Sequence, residues 1–161
     1  MPSLSDHFQR PGFKLRRLRQ TDYPTIIVMV NEAFSYHDQR RGQPRTNPKH
    51  LSWLDDITEV YVVEQGAELV GCVHVELEDK QLFFGLLTVQ PRLRKSGLAP
   101  AIIEAIERYA KALGADSVRL GVMDVSPWLV PYYERLGYQL TGQTENWESF
   151  DIAYMSKPVA P

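Results

Sequence analysis

Apolar residues recur at helical spacing in three stretches of the chain, and the longest of these stretches begins near residue 98. Its apolar stripe comprises Leu98, Ile102, Ile103, Ile106, Ala110 and Leu113. Charged residues occupy the opposite face, and Gly114 follows as a natural helix stop. The pattern therefore predicts a long amphipathic helix that ends at Gly114.

Two shorter helices are predicted from weaker periodicity. In residues 21–34, Thr21 is assigned as the N-cap and Pro24 falls within the first turn, where its missing N–H costs little. In residues 126–136, Ser126 is assigned as the N-cap, and the glycine that follows the segment is expected to end the helix.

Alternation of apolar and polar residues predicts a hairpin of two strands over residues 59–65 and 68–79, with a turn at residues 66–67. One face of the second strand is assigned Leu69, Gly71, Val73, Val75 and Leu77. The other face is assigned Val70, Cys72, His74, Glu76 and Glu78.

Further strands are predicted on both sides of this hairpin. Residues 82–89 are almost wholly apolar, which is typical of a strand that is covered on both faces. Shorter strands are predicted at residues 13–19, 117–123 and 150–155.

Length and composition indicate one globular domain. With 161 residues, of which 43% are apolar, the chain is expected to form a single domain over residues 1–161 with a core at about residues 13–156. A net charge of −2 argues against a nucleic-acid-binding protein, and the single cysteine excludes an intramolecular disulfide and a cysteine-based zinc site. The N-terminus has no apolar leader segment and no stretch is long and apolar enough to span a membrane, so we expect a cytoplasmic protein without a membrane partner.

A small basic loop leads from the apolar strand into the long helix, and it runs from Arg92 to Gly97 with the sequence RLRKSG. Unpaired N–H groups and the positive end of the helix dipole suit an anion at such a position. A phosphate site and a simple connection between strand and helix fit this pattern equally well. The motifs G-x-x-x-x-G-K-[ST] and G-x-G-x-x-G are absent, which disfavours a P-loop kinase and a dinucleotide-binding fold.

Two segments resemble the signature of a known family. The first is the apolar strand followed by residues 94–99, RKSGLA, which match [Q/R]-x-x-G-x-[G/A] at the start of a long helix. The second is residues 131–138, PYYERLGY, a tyrosine-containing helix that ends in an aliphatic residue, a glycine and an aromatic residue. With the strand and helix at its start, the chain resembles the GNAT superfamily of acetyl-CoA-dependent N-acetyltransferases over nearly its whole length.

The resemblance implies a single domain of the α/β (α+β) class. Its central sheet is expected to be mixed, mainly antiparallel and six- to seven-stranded, with a splay between the fourth and fifth strands. About four helices would flank the sheet. Independently of the resemblance, the polar residues 35–56, with their glycine and prolines, predict a long loop that contains a short helix near residues 50–54. The resemblance further implies acetyl-CoA as the co-substrate and no metal, and a homodimer would be unsurprising for this fold.

The family binds its cofactor in the gap between the splayed strands. The pantetheine arm would pair with the free backbone edge of the fourth strand, and the pyrophosphate would rest on the loop amides. The cofactor-binding residues implied in this way are Leu87, Thr88, Val89, Arg94, Lys95, Ser96, Gly97, Leu98, Ala99 and Ser126. Ser126 stands where many members have an asparagine that contacts pantetheine, although helix capping explains this serine equally well. A backbone N–H at Thr88 or Val89 would stabilise the oxyanion.

Tyr133 matches the tyrosine with which the family protonates the departing thiolate, and packing in the core beside Tyr132 is the alternative. Many members of the family carry a glutamate as the catalytic base on the strand before the loop. This chain has no counterpart of that glutamate, because residues 82–90 contain no acid. His74 is a candidate because of its intrinsic pKa, and Glu76 is a candidate if burial raises its pKa. A water chain, or an amine already deprotonated in bulk, would serve as well.

The acceptor cleft of the family is lined by the polar stretch that follows the first helix. The implied substrate-binding residues are Tyr36, His37, Arg41 and Trp53 from that stretch and Trp147 from the C-terminal segment. An arginine there could bind a substrate carboxylate bidentately, whereas a solvated loop is the alternative for such residues. The expected acceptor is a small-molecule or peptide amine.

Two functions are compatible with these residues. The first is an N-acetyltransferase that moves an acetyl group from acetyl-CoA to a primary amine by direct attack in a ternary complex. The alternative is an acyl-CoA-binding sensor or regulatory domain of the same fold with little turnover. The alternative stays open because the strand before the loop lacks the glutamate that many members carry there.

Overall fold

The computed structural model describes residues 3–33, 59–124, 126–147 and 150–159. The strands in this part are β1 Lys14–Arg17, β2 Val60–Gln65, β3 Glu68–Glu78, β4 Gln81–Val89, β5 Ser117–Met123, β6 Gln139–Trp147 and β7 Phe150–Pro158. The α-helices are α1 Tyr23–Ala33, α2 Leu98–Ala112 and α3 Leu129–Arg135. Short 3₁₀ turns lie at Leu4–His7, Gln20–Asp22 and Pro91–Leu93.

The strands form one seven-stranded sheet in the order β1-β2-β3-β4-β5-β7-β6. All neighbours are antiparallel except β4 and β5, which are parallel because α2 crosses over between them. β4 and β5 pair only through residues 81–83 and 117–119, so the two strands separate beyond that point. The predicted α/β class, the mainly antiparallel sheet and the splay between the fourth and fifth strands are therefore confirmed.

Three of the predicted helices lie in the described part of the chain, and the fourth, near residues 50–54, lies outside the described residues. The end of α2 is as predicted, because Gly114 adopts a left-handed φ of 79° directly after the helix. The backbone N–H of Gly114 donates to Lys111 at 3.1 Å and that of Ala115 donates to Ala110 at 2.9 Å, which satisfies the last carbonyls. None of the described helices is long and apolar enough to cross a bilayer.

The long helix and the first helix cover opposite faces of the sheet. The buried residues of α2 are Leu98, Ile102, Ile103, Ala105, Ile106, Tyr109 and Ala110. They share one cluster with Val73 and Val75 of β3 and with Leu82 and Phe84 of β4. On the other face, Ile26, Met29 and Val30 of α1 pack against Val62 and Cys72. The central strands are thus covered on both sides, as their apolar composition predicts.

The predicted alternation of β3 is wrong at its first residues. Val70 packs in the cluster of Val73 and Val75, whereas Leu69 packs against the cluster of Cys72. The reason is a β-bulge, because Val63 of β2 is opposite Gly71 while the next residue of β2 is opposite Leu69. The extra residue in β3 reverses which side chains face which side of the sheet.

Neither predicted N-cap residue caps its helix. Thr21 lies inside the 3₁₀ turn Gln20–Asp22, and α1 begins only at Tyr23. Ser126 lies in a turn before α3, where its carbonyl accepts the Leu129 N–H at 3.0 Å, and the N-cap position is Trp128. In both places a tight turn leads into the helix, so turn hydrogen bonds replace a side-chain cap.

The 3₁₀ turn before α1 is fastened to the sheet by a partly buried ion-pair network. Arg16 of β1 donates from Nη1 and Nη2 to the two carboxylate oxygens of Asp22 at 2.9 and 3.0 Å. Its Nε donates to Glu64 of β2. The Arg19 backbone N–H also donates to Asp22 at 2.7 Å. The hydrogen bonds from Arg16 lower the pKa of Asp22, so this network favours the ionised carboxylate in the folded state.

We expect Asp22→Asn to lower the free energy of unfolding at pH 7 by about 2 kcal/mol, because the amide offers Arg16 one neutral acceptor oxygen in place of the two charged ones. The pKa of Asp22 is lower in the folded chain than in the unfolded chain, so the folded state binds fewer protons. The difference between wild type and variant should be full above pH 5 and shrink as the pH falls below about 4. Urea unfolding at several pH values measures this difference. Asp116→Asn, at an exposed aspartate, is the control; an equal loss in both variants would contradict the role of the network.

Candidate active site

The candidate site is built around the gap that opens between β4 and β5 beyond their three paired residues. On the β4 side, Gln90 donates its backbone N–H to Val70 of β3 at 2.8 Å, and the Thr88 carbonyl lies against Gly71 of β3. Successive residues of a strand point their backbone groups in opposite directions. The N–H groups of Leu87 and Val89 therefore point away from β3 and into the gap, whereas that of Thr88 points toward β3.

A bulge in β4 lies at the start of this free edge. Thr88 is opposite Cys72 and Gly85 is opposite His74, so β4 has one residue more than β3 over this stretch. Leu86 takes the extra place with a φ of 57°, an uncommon conformation for a residue other than glycine. Thr88 is buried, and its hydroxyl donates to the Leu86 carbonyl at 3.1 Å, which braces the bulge.

The loop between β4 and α2 already uses alternate backbone N–H groups within itself. The 3₁₀ turn Pro91–Leu93 opens the loop, and the N–H groups of Arg94 and Ser96 donate back to its first and last residues at 3.1 Å each. The Leu98 N–H donates to the Ser96 hydroxyl at 3.3 Å. The loop is thus held in shape by its own hydrogen bonds before any ligand is considered.

The N–H groups between those bonded ones, on Lys95, Gly97 and Ala99, have no hydrogen-bond partner within the described residues. Lys95 and Gly97 adopt left-handed φ values of 65° and 88°, and Gly97 is the N-cap of α2. Free backbone donors in turns of this kind, at the positive end of a fifteen-residue helix, form a concave surface suited to an anion.

The cations of the loop do not all lie beside those donors. Arg94 and Lys95 are exposed and belong to the loop itself. Arg92 instead donates to Glu68 at 2.7 Å and to Gln65 at 3.2 Å, so its charge is directed to the β2–β3 hairpin. Arg92 lies in the basic loop, but the sequence carries no signal of its ion pair with Glu68, which is 24 positions away.

Tyr133 projects from α3 into the main core cluster, and its side chain is largely buried. Its ring centroid is 6.3 Å from Phe84, the residue of β4 that follows the last pair with β5. It also makes edge contacts with Tyr132 at 5.1 Å and with Tyr138 at 6.0 Å. Burial raises the pKa of Tyr133, so the phenol is protonated at neutral pH.

The hydroxyl of Tyr133 makes no hydrogen bond within the described residues, so its position is determined by ring packing. The two readings of this tyrosine, core packing and proton donation, are therefore compatible. Pro131 does not break the helix, because it is the third residue of α3, where its missing N–H has no intrahelical acceptor. Ser126 is fully buried in the turn before this helix.

The two base candidates lie in different environments. His74 is 9% exposed, and its ring packs on Gly85 of β4 so closely that a Cβ added there would lie 2.6 Å from Cε1. Burial lowers the pKa of His74 to about 4, so the imidazole is neutral at pH 7. Glu76 and Glu78 are exposed at the end of β3. The burial that would make Glu76 a suitable base is therefore absent.

The acceptor-site predictions fall mainly outside the described part of the chain. Tyr36, His37, Arg41 and Trp53 lie outside the described residues. Trp147 is the last residue of β6, and its side chain is likewise outside the description. Among the described residues, no three His, Cys, Asp or Glu side chains come close enough together to hold a metal ion.

The fold is similar to that of solved acetyltransferases at low sequence identity. The ribosomal-protein-S18-alanine N-acetyltransferase from Escherichia coli matches with a TM-score of 0.69 and 16% identity, over 92% of this chain and 95% of that one. Ard1 from Thermoplasma volcanium matches with a TM-score of 0.73 and 17% identity, over 93% and 99%. An IAA acetyltransferase from Bacillus cereus matches with a TM-score of 0.66 and 13% identity, over 91% and 99%.

The sequence itself matches a family profile. The profile of the acetyltransferase (GNAT) family aligns with residues 14–138, from the first residue of β1 to the residue before β6, which is more than half of the chain. The splayed strands, the loop at the start of α2 and the tyrosine of α3 all fall within this range. The chain therefore belongs to the GNAT acetyltransferase family.

Proposed function

We propose that the protein is an N-acetyltransferase that moves the acetyl group of acetyl-CoA to a primary amine in a ternary complex. The observation that carries this proposal is the free edge of β4, whose Leu87 and Val89 N–H groups face a gap that leads to the basic loop. A long cofactor with an amide-rich arm and a pyrophosphate would match both parts of this surface at once.

The pyrophosphate is assigned to the loop. The free N–H groups of Lys95, Gly97 and Ala99 would donate to its oxygens, with Arg94 and Lys95 supplying positive charge. The Ser96 hydroxyl would keep the loop in shape by accepting the Leu98 N–H. The buried Leu98 side chain would anchor the start of α2. Ser126 is fully buried, so it would contact the pantetheine arm only through a change in its turn.

The acetyl group would lie in the gap at the end of the pantetheine arm. A thioester carbonyl there could accept hydrogen bonds from Leu87 or Val89, whose N–H groups face the gap. Thr88 is less suited to this role, because its N–H points toward β3. The attacking amine nitrogen forms a bond to the carbonyl carbon, the negative charge collects on the oxygen, and the carbon–sulfur bond then breaks.

Tyr133 would give its proton to the departing sulfur. Its raised pKa keeps the phenol protonated at neutral pH, so the proton is present when the carbon–sulfur bond breaks. The same burial disfavours a lasting tyrosinate, so Tyr133 must regain a proton in the same turnover. The proton released by the amine nitrogen balances this requirement, and solvent at the gap could carry it.

The amine itself would lose its first proton to solvent. A histidine with a pKa of about 4 holds a proton poorly at pH 7, which makes His74 a weak candidate for a base. Glu76 is exposed and lacks the burial that its role requires. A water chain or an amine that is neutral in bulk fits these environments better. The acceptor would be a small-molecule or peptide amine.

The direct test is acetyl-CoA binding together with thiol release. We expect the wild-type protein to bind acetyl-CoA in preference to ATP and NAD, because the loop lacks both nucleotide motifs. It should release coenzyme A thiol when supplied with a member of an amine panel that includes amino acids, polyamines and peptide N-termini. Binding without thiol release for any amine would favour the sensor reading, and absence of binding would reject both readings.

Gly97→Ala should raise the dissociation constant for acetyl-CoA about 10-fold or more. A side chain is strained at a φ of 88°, and an added Cβ would lie 3.2 Å from the Arg10 guanidinium, so the loop must shift. Gly114→Ala is the matched control, since it carries similar strain at 79° in open space at the far end of α2. Both variants should lose about 1 kcal/mol of stability. Calorimetric titration showing the same affinity for both would contradict the assignment of the loop.

Tyr133→Phe should lower kcat about 100-fold while leaving acetyl-CoA affinity unchanged, because it removes the proton donor and keeps the ring contacts. Tyr138→Phe is the control in the same aromatic cluster, since the Tyr138 hydroxyl donates to Glu107 at 2.8 Å and is thereby engaged away from the gap. That variant should lose stability and keep kcat. Steady-state kinetics with equal kcat for Tyr133→Phe and wild type would remove Tyr133 from the mechanism.

A further inference from the structure

The segment of residues 3–13, which we call the N-terminal strap, is fastened along α2. Leu4 is fully buried in the main cluster, and its backbone N–H donates to the Tyr61 hydroxyl at 3.3 Å. Arg108 of α2 donates to the His7 carbonyl through Nε at 3.2 Å and Nη2 at 2.6 Å. The rings of His7 and Tyr109 lie 5.8 Å apart. These contacts hold the strap in place beside the helix.

The strap brings Arg10 to the loop at the start of α2. Its Nη2 donates to the carbonyl of Ser96, a residue 86 positions away in the chain. Its terminal nitrogens lie so close to Gly97 that an added Cβ would be 3.2 Å from both of them. Arg10 is therefore packed directly against the peptide that joins Ser96 to Gly97.

The direction of this contact determines how the loop presents its donors. The chain has no cis peptide bond in its described part, so the Gly97 N–H points opposite to the Ser96 carbonyl. Because Arg10 holds the carbonyl, the N–H is turned outward on the other side of the peptide. That N–H is one of the donors that have no partner within the described residues. A cation on the carbonyl also polarises the peptide and strengthens the N–H as a donor.

Arg10 has no acidic ion-pair partner in the part of the chain that the structure describes. Arg16 and Arg92 contrast with it, since each pairs with a carboxylate at or below 2.9 Å. An anion that accepts a hydrogen bond from the Gly97 N–H would be separated from the Arg10 guanidinium only by the Ser96–Gly97 peptide.

We propose that Arg10 is a positioning residue for the pyrophosphate of acetyl-CoA, acting through the Ser96–Gly97 peptide. This inference rests on the proposed function, and it adds the N-terminal strap to the cofactor site. Arg10 orients one N–H donor, covers the glycine of the loop and contributes a positive charge behind it. The strap thereby couples packing on α2 to cofactor affinity.

The test uses the full chain with Arg10→Met and Arg10→Lys, and with Lys14→Met as a control that removes one positive charge from an exposed position in β1. Acetyl-CoA affinity is titrated at two ionic strengths, and thermal unfolding shows that each variant is folded. We expect Arg10→Met to raise the dissociation constant about 10-fold at low salt and to weaken its salt dependence. Arg10→Lys should stay within about 3-fold of wild type, because one charged donor suffices for one carbonyl. Lys14→Met should match wild type.

Three results would overturn the inference. Unchanged affinity in Arg10→Met, with wild type binding acetyl-CoA, rejects the role of Arg10 and leaves the proposed function standing. A loss that Arg10→Lys fails to restore, with an unchanged salt dependence, assigns Arg10 to packing alone. Failure of the wild type itself to bind acetyl-CoA rejects the proposed function, and the inference falls with it.

Discussion

The constraint on which the site depends is the short pairing between β4 and β5. The two strands pair at residues 81–83 and 117–119 and then separate, which leaves the rest of the β4 edge without a partner among the described strands. Backbone donors and acceptors away from water need partners, so an unpaired edge inside a sheet is a place for a ligand that resembles a strand. The bulge at Leu86 lies at the start of this edge, and the Leu87 and Val89 N–H groups point out from it.

Helix α2 links the stability of the fold to the proposed chemistry. Its apolar stripe fills the main core cluster, and the same packing aims its N-terminus at the end of β4. The positive end of the helix and the adjoining free N–H groups of Lys95, Gly97 and Ala99 are therefore positioned by the packing of the core. In α3, the ring of Tyr133 is held by Phe84 and Tyr138, so a residue with a proton to donate is also part of the packing.

Much of the fold could be predicted because periodicity reports burial. The stripe of α2, the hairpin of β2 and β3 and the apolar β4 are all present as predicted. The bulges could not be predicted, since one at Val70 has no turn residue of its own and the other places Leu86, a residue that rarely adopts positive φ, at 57°. Thr21 and Ser126 were predicted to cap their helices, but each lies in a tight turn before its helix. Such turns compete with side-chain caps for the same N–H groups.

The sequence by itself determined the loop that precedes α2 and the order of the described helices and of every strand except β6, because these depend on local patterns of apolar, polar and glycine residues. The class of the fold followed from the resemblance to the GNAT superfamily. Only the tertiary structure decided which charges serve that loop: Arg92, within it, pairs with Glu68, while Arg10 arrives from the N-terminal strap. It also decided that His74 is buried with a pKa of about 4 and that Glu76 is exposed. The physical reason is that ion pairs and desolvation depend on which residues are close together in the folded chain. When those residues are far apart in the sequence, no local sequence pattern shows that they will meet.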